Sequence, residues 1–170
     1  MSVVRAAIPV SGLLGVVLLA VLAARAETPV NFSGTWQLDK GRSTLPSQTP
    51  AAPGDLTLVI EQNGVALKIE RHFKILALRR TITATYYTDG REAVNTAPRT
   101  GQVTSRSHWE GKSLVTEHKS FETRNGKTEA VESTDIKHLS EDGTLLYIDN
   151  TVVRPGQDAP EKFRLVFVRR

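Results

Sequence analysis

The stretch Asn31–Asp39, NFSGTWQLD, decides the fold that we expect for this chain of 170 residues. Gly34 and Trp36 stand two residues apart in it, and apolar residues flank them. A glycine allows a strand to bend and a second strand to pass close to it, and an indole ring is large enough to cover one end of a barrel. The stretch therefore predicts a first strand whose glycine and tryptophan close a β-barrel at one end.

The residues before this stretch have the character of a secretory leader. They contain a basic residue near the start, an apolar run over Val10–Ala24 and a final Ala-Arg-Ala tripeptide, the small-x-small pattern that signal peptidase cleaves. We expect a signal peptide over residues 1–26, a single domain over residues 27–170, and an exported protein that is periplasmic or secreted. The alternative is an uncleaved anchor over Ala6–Ala24, which an early proline and nearby small residues weaken.

The composition excludes several kinds of partner and site. The chain has 22 Lys and Arg against 18 Asp and Glu, and two of the arginines belong to the leader, so the folded part is close to neutral. A near-neutral domain offers no clustered basic face for nucleic acid. The absence of cysteine excludes disulfides, thiolate metal sites and a lipid-modified cysteine. We expect a monomer that does not insert stably into a membrane once the leader is removed.

Turn dipeptides separate short runs rich in Val, Ile, Thr and aromatic residues from Phe32 onward. These dipeptides are Asn63-Gly64, Asp89-Gly90, Glu110-Gly111, Asn125-Gly126 and Asp142-Gly143. The runs between them predict ten strands: Phe32–Leu38, Leu56–Gln62, Val65–Phe73, Arg79–Thr88, Arg91–Asn95, Gln102–Trp109, Lys112–Glu122, Lys127–Leu139, Thr144–Val153 and Lys162–Arg169. Successive hairpins of this kind most simply close on themselves. We therefore expect an all-β, up-and-down antiparallel barrel of eight to ten strands, with a two-sheet sandwich as the alternative.

The clearest hairpin surrounds the Asn-Gly dipeptide at 63–64. If that dipeptide forms a two-residue turn, Ile60 faces Leu67 and Leu58 faces Ile69. One side of both strands is then aliphatic, and the other side carries mostly charged and polar residues. This hairpin predicts one wall of the barrel interior.

The tripeptide Gly34-Thr35-Trp36 resembles the G-x-W signature on the first strand of lipocalins and of their calycin relatives, the fatty-acid-binding proteins and avidins. In lipocalins the tryptophan packs against an arginine of the last strand, and the resemblance implies the same for Trp36. Arg169 is the arginine that we expect over the indole, because it lies on the same face of the last strand as the apolar residues of that strand. Those residues are Phe163, Leu165 and Phe167. Gly34, Trp36 and Arg169 are therefore expected to close the barrel.

The whole mature sequence resembles, more specifically, a group of exported, lipocalin-like bacterial proteins of unassigned function. The landmarks that carry this resemblance are SGTW at 33–36, Arg42-Ser43, the hairpin over 56–69, YTDG at 87–90, the Trp109–Val115 hairpin and LSEDG at 139–143. The sequence lacks counterparts of the second and third lipocalin motifs and of the helical pair that covers the fatty-acid-binding barrel. A proline-rich loop over residues 39–55 would have to serve as the lid.

The resemblance and the aliphatic wall together predict a protein that binds or carries a small, largely apolar or amphipathic molecule inside the barrel. The expected ligand contacts are Leu58, Ile60, Leu67, Ile69, Tyr86, Trp109 and His118. One alternative is a filled barrel that acts as a structural or protein-interaction module, with an unknown protein partner bound by the loops at 39–55 and 154–161.

A possible catalytic group lies in the second half of the chain. If residues 125–126 form a two-residue turn, His118 lies opposite Ser133, and Asp135 shares their face. A serine nucleophile normally stands on a strained turn beside an oxyanion hole, whereas Ser133 lies in mid-strand. We therefore expect no enzyme, with a cavity-based hydrolase or isomerase as the least favoured alternative. No cofactor motif is present, and the four histidines lack the spacing of a metal site.

The other face of these strands carries Arg106, Glu117, Lys119 and Glu132. With this charged face outside, the interior would be lined by residues such as Thr116 and His118. Apolar residues on the charged side favour the reverse, which would turn Arg106 inward as a carboxylate anchor. These apolar residues are Val115, Phe121, Ile136 and Tyr147. The sequence leaves both orientations open.

Overall fold

The computed structural model describes residues 30–46, 56–75, 78–98, 101–124 and 126–170. These ranges contain ten strands: β1 Gly34–Leu38, β2 Thr57–Asn63, β3 Ala66–Ile75, β4 Leu78–Tyr87, β5 Glu92–Ala97, β6 Gly101–Glu110, β7 Ser113–Arg124, β8 Lys127–Leu139, β9 Leu145–Val153 and β10 Glu161–Arg169. Within the described ranges, no helix is long and apolar enough to cross a membrane. The expected signal peptide, residues 47–55 of the expected lid, and Asn125 of an expected turn lie outside them.

The ten strands form one antiparallel sheet in the order β4-β3-β2-β1-β10-β9-β8-β7-β6-β5. Every ladder except one joins strands that follow each other in the sequence, and the exception is the pairing of β1 with β10. The sheet therefore curls into an up-and-down barrel, and the prediction of this fold class is confirmed. The two strands at the ends of the order, β4 and β5, face each other across a seam.

Trp36 fills one end of the barrel. Its ring is fully buried, and its indole N–H donates a hydrogen bond to the Phe32 carbonyl at 2.9 Å. The Arg169 guanidinium lies over the ring, 4.1 Å from its centroid, and donates to the Ser33 carbonyl at 2.9 Å. A cation over an indole face is attracted by the negative face of the ring. We call the end of the barrel that Trp36 and Arg169 fill the Trp36 end.

Gly34 occupies a position at this end that disfavours a side chain. Its φ is +138°, a conformation that L side chains rarely adopt, and a Cβ atom there would lie 2.7 Å from the Arg169 guanidinium. The glycine of the G-x-W tripeptide is thus required both by the backbone and by the close approach of Arg169.

The β2–β3 hairpin has a different register from the predicted one. Asn63 pairs with Ala66, so the turn consists of Gly64 and Val65, and Ile60 pairs with Ile69. The predicted pairing of Ile60 with Leu67 is therefore wrong by two residues. Gly64 has φ +57° and takes the first turn position, so β2 extends by one residue. A shift of two residues preserves the face on which each side chain lies, so the aliphatic wall still points inward.

An apolar core fills the barrel next to the Trp36 end. Its members are all nine-tenths or more buried: Phe32, Trp36, Leu38, Leu58, Ile60, Leu67, Ile69, Ala84, Tyr86, Leu114, Leu146, Ile148 and Phe167. Because burial of such side chains removes apolar surface from water, this core supplies the main driving force for folding in a chain without disulfides.

The Asn95 side chain bridges the seam between β4 and β5. The Asn95 amide accepts a hydrogen bond from the Thr85 N–H at 2.8 Å and donates one to the Thr85 carbonyl at 2.9 Å. A primary amide has the same donor and acceptor as a peptide unit. Asn95 thus takes the place of one pair of ladder hydrogen bonds between two strands that no ladder joins in the described part of the chain.

Asn95→Ala is expected to lower the free energy of unfolding by about 1–3 kcal/mol, because it leaves two half-buried backbone groups of Thr85 without partners. Hydrogen exchange of the Thr85 amide should also become faster. The exposed neighbour Thr96, replaced by alanine, is the control and should change neither quantity. Unchanged protection of Thr85 in Asn95→Ala would contradict the bridging role.

Candidate functional site

A group of polar side chains lies inside the barrel beyond the apolar core. These side chains project from β3, β4, β6, β7 and β8, on positions that alternate with outward-facing residues. The members are Arg71, Tyr86, Ser107, Thr116, His118, Asp135 and Lys137, which we call the polar cluster. The ladders bring them together, since Ser107 pairs with Thr116 and Thr116 with Asp135.

Asp135 is the centre of the polar cluster. One carboxylate oxygen bonds to the Lys137 ammonium, and the other lies 2.8 Å from His118 Nε2. Burial by itself would raise the pKa of the Asp135 carboxyl, but the Lys137 cation and the His118 hydrogen bond hold that pKa below its usual range. Asp135 is therefore ionised at neutral pH. Lys137 is 1% exposed and lies 5.4 Å from the centroid of the Tyr86 ring.

Arg71 adds a second cation to the polar cluster. Its guanidinium donates to the Tyr86 hydroxyl at 3.3 Å. The Tyr86 hydroxyl raises the pKa of Arg71, burial lowers it, and the Asp135 carboxylate raises it further, so the guanidinium stays charged. Two cations, Arg71 and Lys137, thus face one carboxylate. With the His118 ring counted as neutral, the polar cluster carries one positive charge in excess, in an interior where charge interactions are stronger than in water.

Half-buried apolar side chains continue the interior toward the end opposite Trp36. They occupy inward positions of β3, β4, β9 and β10, and they are Phe73, Ile82, Val152 and Phe163. Along the barrel axis, the interior therefore consists of a packed apolar core, a cationic middle layer and a second apolar layer. Such an order suits a molecule that has an apolar body and an anionic end.

The predicted catalytic group forms only in part. His118 pairs with Ser133 in the ladder, as predicted, and His118 bonds to Asp135. Among the described residues, however, the Ser133 hydroxyl makes no hydrogen bond to His118, so the nucleophile–base contact of a serine hydrolase is missing. In the same ranges, no three His, Asp or Glu side chains are grouped so that they could hold a metal ion.

The residues predicted to contact a ligand lie in two layers of the interior. Four of them belong to the packed apolar core and are at most 2% exposed: Leu58, Ile60, Leu67 and Ile69. Tyr86 and His118 belong to the polar cluster and meet edge to face at 5.8 Å. Trp109 is half-buried and stacks on Phe32 at 5.7 Å. Contact of these seven residues with a ligand stays a prediction.

The charged face of β6, β7 and β8 lies on the outside of the barrel. Together with β5 and β9 it forms a shallow groove of about 420 Å³. Its charged lining residues are Glu92, Arg106, Glu117, Lys119 and Glu132. Arg106 bonds to Glu92 at 3.2 Å and does not point inward, and Phe121 is 52% exposed. Of the two orientations that the sequence left open, the structure has the one with the charged face outside.

Arg71 and Lys137 were missed as site residues, although a signal for both was available. Alternation extends the inward face of β3 from Leu67 and Ile69 to Arg71, and that of β8 from Asp135 to Lys137. A lysine or arginine at the end of an apolar row is usually read as the edge of a strand. The alternation places Arg71 inside the barrel, and it places Lys137 there once the charged face of β8 is known to lie outside.

No protein-family model matches this sequence, and no curated protein matches it significantly. Solved structures do match. The zebrafish ileal bile acid-binding protein complexed with cholic acid has a TM-score of 0.58 and 13% identity, over 82% of this chain and 98% of its own. A protein described as the REP1-NXSQ fatty acid transporter has a TM-score of 0.56 and 12% identity, over 81% and 95%. At these identities the comparison shows the fold alone, an up-and-down antiparallel β-barrel.

Proposed function

We propose that this protein binds a small amphipathic acid inside the barrel, with the acid group on Arg71 and Lys137 and the apolar body against the outer apolar layer. The observation that carries the proposal is the excess positive charge of the polar cluster within the barrel. Lys137 is paired with Asp135, whereas the half-buried Arg71 bonds to a neutral hydroxyl. A cation in the barrel interior without a matching anion is unfavourable, and a ligand carboxylate would neutralise it. We call Arg71 and Lys137 the cationic anchor.

The structural neighbours support this class of ligand. One of them is complexed with cholic acid, and the other is described as a fatty acid transporter. Cholic acid and fatty acids are both amphipathic acids. The leader-like sequence over residues 1–26 supports the further proposal that the ligand is carried or sequestered outside the cytoplasm.

Titration with palmitate, cholate and methyl palmitate tests the proposed function. Displacement of an environment-sensitive dye gives the affinity, and the intrinsic fluorescence of Trp109 and Trp36 gives a second readout. We expect the wild-type protein to bind at least one of the two acids and to bind palmitate more tightly than its methyl ester. Arg71→Gln should weaken binding of that acid by about 10–100-fold, because it removes a charge-assisted hydrogen bond worth about 1.5–3 kcal/mol.

Arg164→Gln is the matched control, because Arg164 lies on the outer face, where it bonds to Asp149 at 2.5 Å. This variant should bind the acids as the wild type does. Equal affinity for palmitate and its ester, or failure of both acids to bind, would contradict the proposal.

A further inference from the structure

The Ser105 hydroxyl is buried without a hydrogen-bond partner. Ser105 lies on the inward face of β6 and is 4% exposed, and among the described residues its Oγ has no partner. The next inward serine on the same strand differs, since the Ser107 hydroxyl donates to Thr116 Oγ1 at 3.0 Å. A buried hydroxyl without a partner is unfavourable, and native proteins rarely retain one without a reason.

His118 lies directly opposite Ser105 in the ladder between β6 and β7. Directly opposed side chains have Cβ atoms about 4.5–5.5 Å apart, so both groups face the same part of the interior. The Nε2 atom of His118 is bonded to Asp135, while Nδ1 makes no hydrogen bond within the described part of the chain. The two residues that carry these polar atoms are thus neighbours on the inward face.

The tautomer of the neutral His118 ring follows from its partner. Asp135 is an ionised carboxylate and can only accept hydrogen bonds, so Nε2 carries the proton and donates it to Asp135 Oδ2 at 2.8 Å. In the neutral ring, Nδ1 is then an acceptor. A ligand hydroxyl matches this pair, because it donates to His118 Nδ1 and accepts from the Ser105 hydroxyl. A ligand carbonyl would satisfy Ser105 only.

We propose that Ser105 and His118 form a second polar subsite, which binds a hydroxyl group of the ligand beside the cationic anchor. This inference rests on the proposed function and narrows its ligand class to hydroxylated amphipathic acids. Only the Asp135 carboxylate and the imidazole ring separate His118 Nδ1 from Lys137. The hydroxyl is therefore expected near the acid end of the ligand rather than at its far end.

A matched set of palmitates tests the inference: palmitate, 3-hydroxypalmitate, 6-hydroxypalmitate and 16-hydroxypalmitate. We expect the protein to bind the 3- or the 6-hydroxy acid about tenfold more tightly than palmitate, through the added hydrogen bonds. The 16-hydroxy acid should show no such gain. Ser105→Ala should abolish the gain while leaving the affinity for palmitate unchanged, and Ser107→Ala should preserve the gain.

Ser105→Ala is expected to fold, because it removes an unpartnered hydroxyl and should leave the midpoint of urea unfolding unchanged or raised. If palmitate binds but no hydroxylated acid binds more tightly, or if the gain survives Ser105→Ala, this inference is overturned and the proposed function stands. If neither cholate nor any of the four palmitates binds, both are overturned. If cholate binds and none of the four palmitates does, this inference is overturned and the proposed function stands.

Discussion

Replacement of Asp135 by alanine is expected to lower the free energy of unfolding by about 3–5 kcal/mol. The variant leaves the Lys137 ammonium, which is 1% exposed, without its carboxylate, and it removes the partner of His118 Nε2. A charge of this kind cannot recover its hydration while it stays inside the barrel. Urea unfolding followed by circular dichroism measures the loss.

The double variant Asp135→Leu with Lys137→Met is the control. It removes both charges together and fills the space with apolar groups, so it should recover most of the stability lost in Asp135→Ala. A loss below about 1 kcal/mol in Asp135→Ala would show that the Lys137 ammonium is hydrated, and the charge argument for the cationic anchor would fail with it.

The pH dependence of Asp135→Ala tests whether its loss of stability is due to the missing charge. The pKa of Asp135 is lower in the folded protein than in the unfolded chain, so its ionisation stabilises the fold above the unfolded pKa of about 3.9. This contribution is lost as the pH falls through the folded pKa. The stability difference between wild type and Asp135→Ala should therefore be constant at neutral pH and narrow below about pH 4. If the stability difference stays constant down to pH 2, lost packing rather than lost charge destabilises the variant.

Trp36→Ala is expected to destabilise the protein by about 3–5 kcal/mol. The substitution opens a large cavity at a fully buried position, removes the hydrogen bond to the Phe32 carbonyl, and leaves the Arg169 guanidinium without the ring beneath it. Unfolding followed by circular dichroism is the appropriate measurement, because the substitution removes one of the two tryptophan fluorophores.

Trp109→Ala provides a matched control for Trp36→Ala. Trp109 is also a tryptophan and stacks on Phe32. Unlike Trp36, it is half-buried, and no arginine of the described residues lies over its ring. Trp109→Ala should lower the free energy of unfolding clearly less than Trp36→Ala does. Equal losses in the two variants would mean that the Trp36 end of the barrel does not depend on Trp36 in particular.

Periodicity and turn residues were sufficient to predict the fold. The observed strands begin and end within two residues of the predicted ones, because alternation and glycine-containing turns are local properties of the chain. The register of the β2–β3 hairpin was less predictable, since it depends on whether Asn63 or Gly64 begins the turn. The prediction of which side chains point inward was still correct, because the register differed by an even number of residues.

The polar cluster was harder to predict, because its members lie on five strands. Pairing of His118 with Ser133 follows from one turn, and Arg71 and Tyr86 lie on adjacent strands. Contact of Lys137 with the Tyr86 ring, in contrast, depends on how the two halves of the barrel face each other. Curvature of the whole sheet decides that arrangement. A single sequence gives the side on which each residue lies, but not its partner across the interior.

The pairing of β1 with β10 also has a consequence for how the chain folds. All other ladders join neighbouring strands, whereas the bond from Arg169 to the Ser33 carbonyl spans 136 residues. Loop-closure entropy rises by about 0.6 kcal/mol with each doubling of loop length, so contacts of this length are slow to form, whereas hairpins form early. We therefore expect the β1–β10 ladder to form after the hairpins and to close them into a barrel, and the fluorescence of Trp36 under Arg169 should report this step. Trp36 and Arg169, which identify the fold in the sequence, are thus also the residues whose contact is expected to form late in folding.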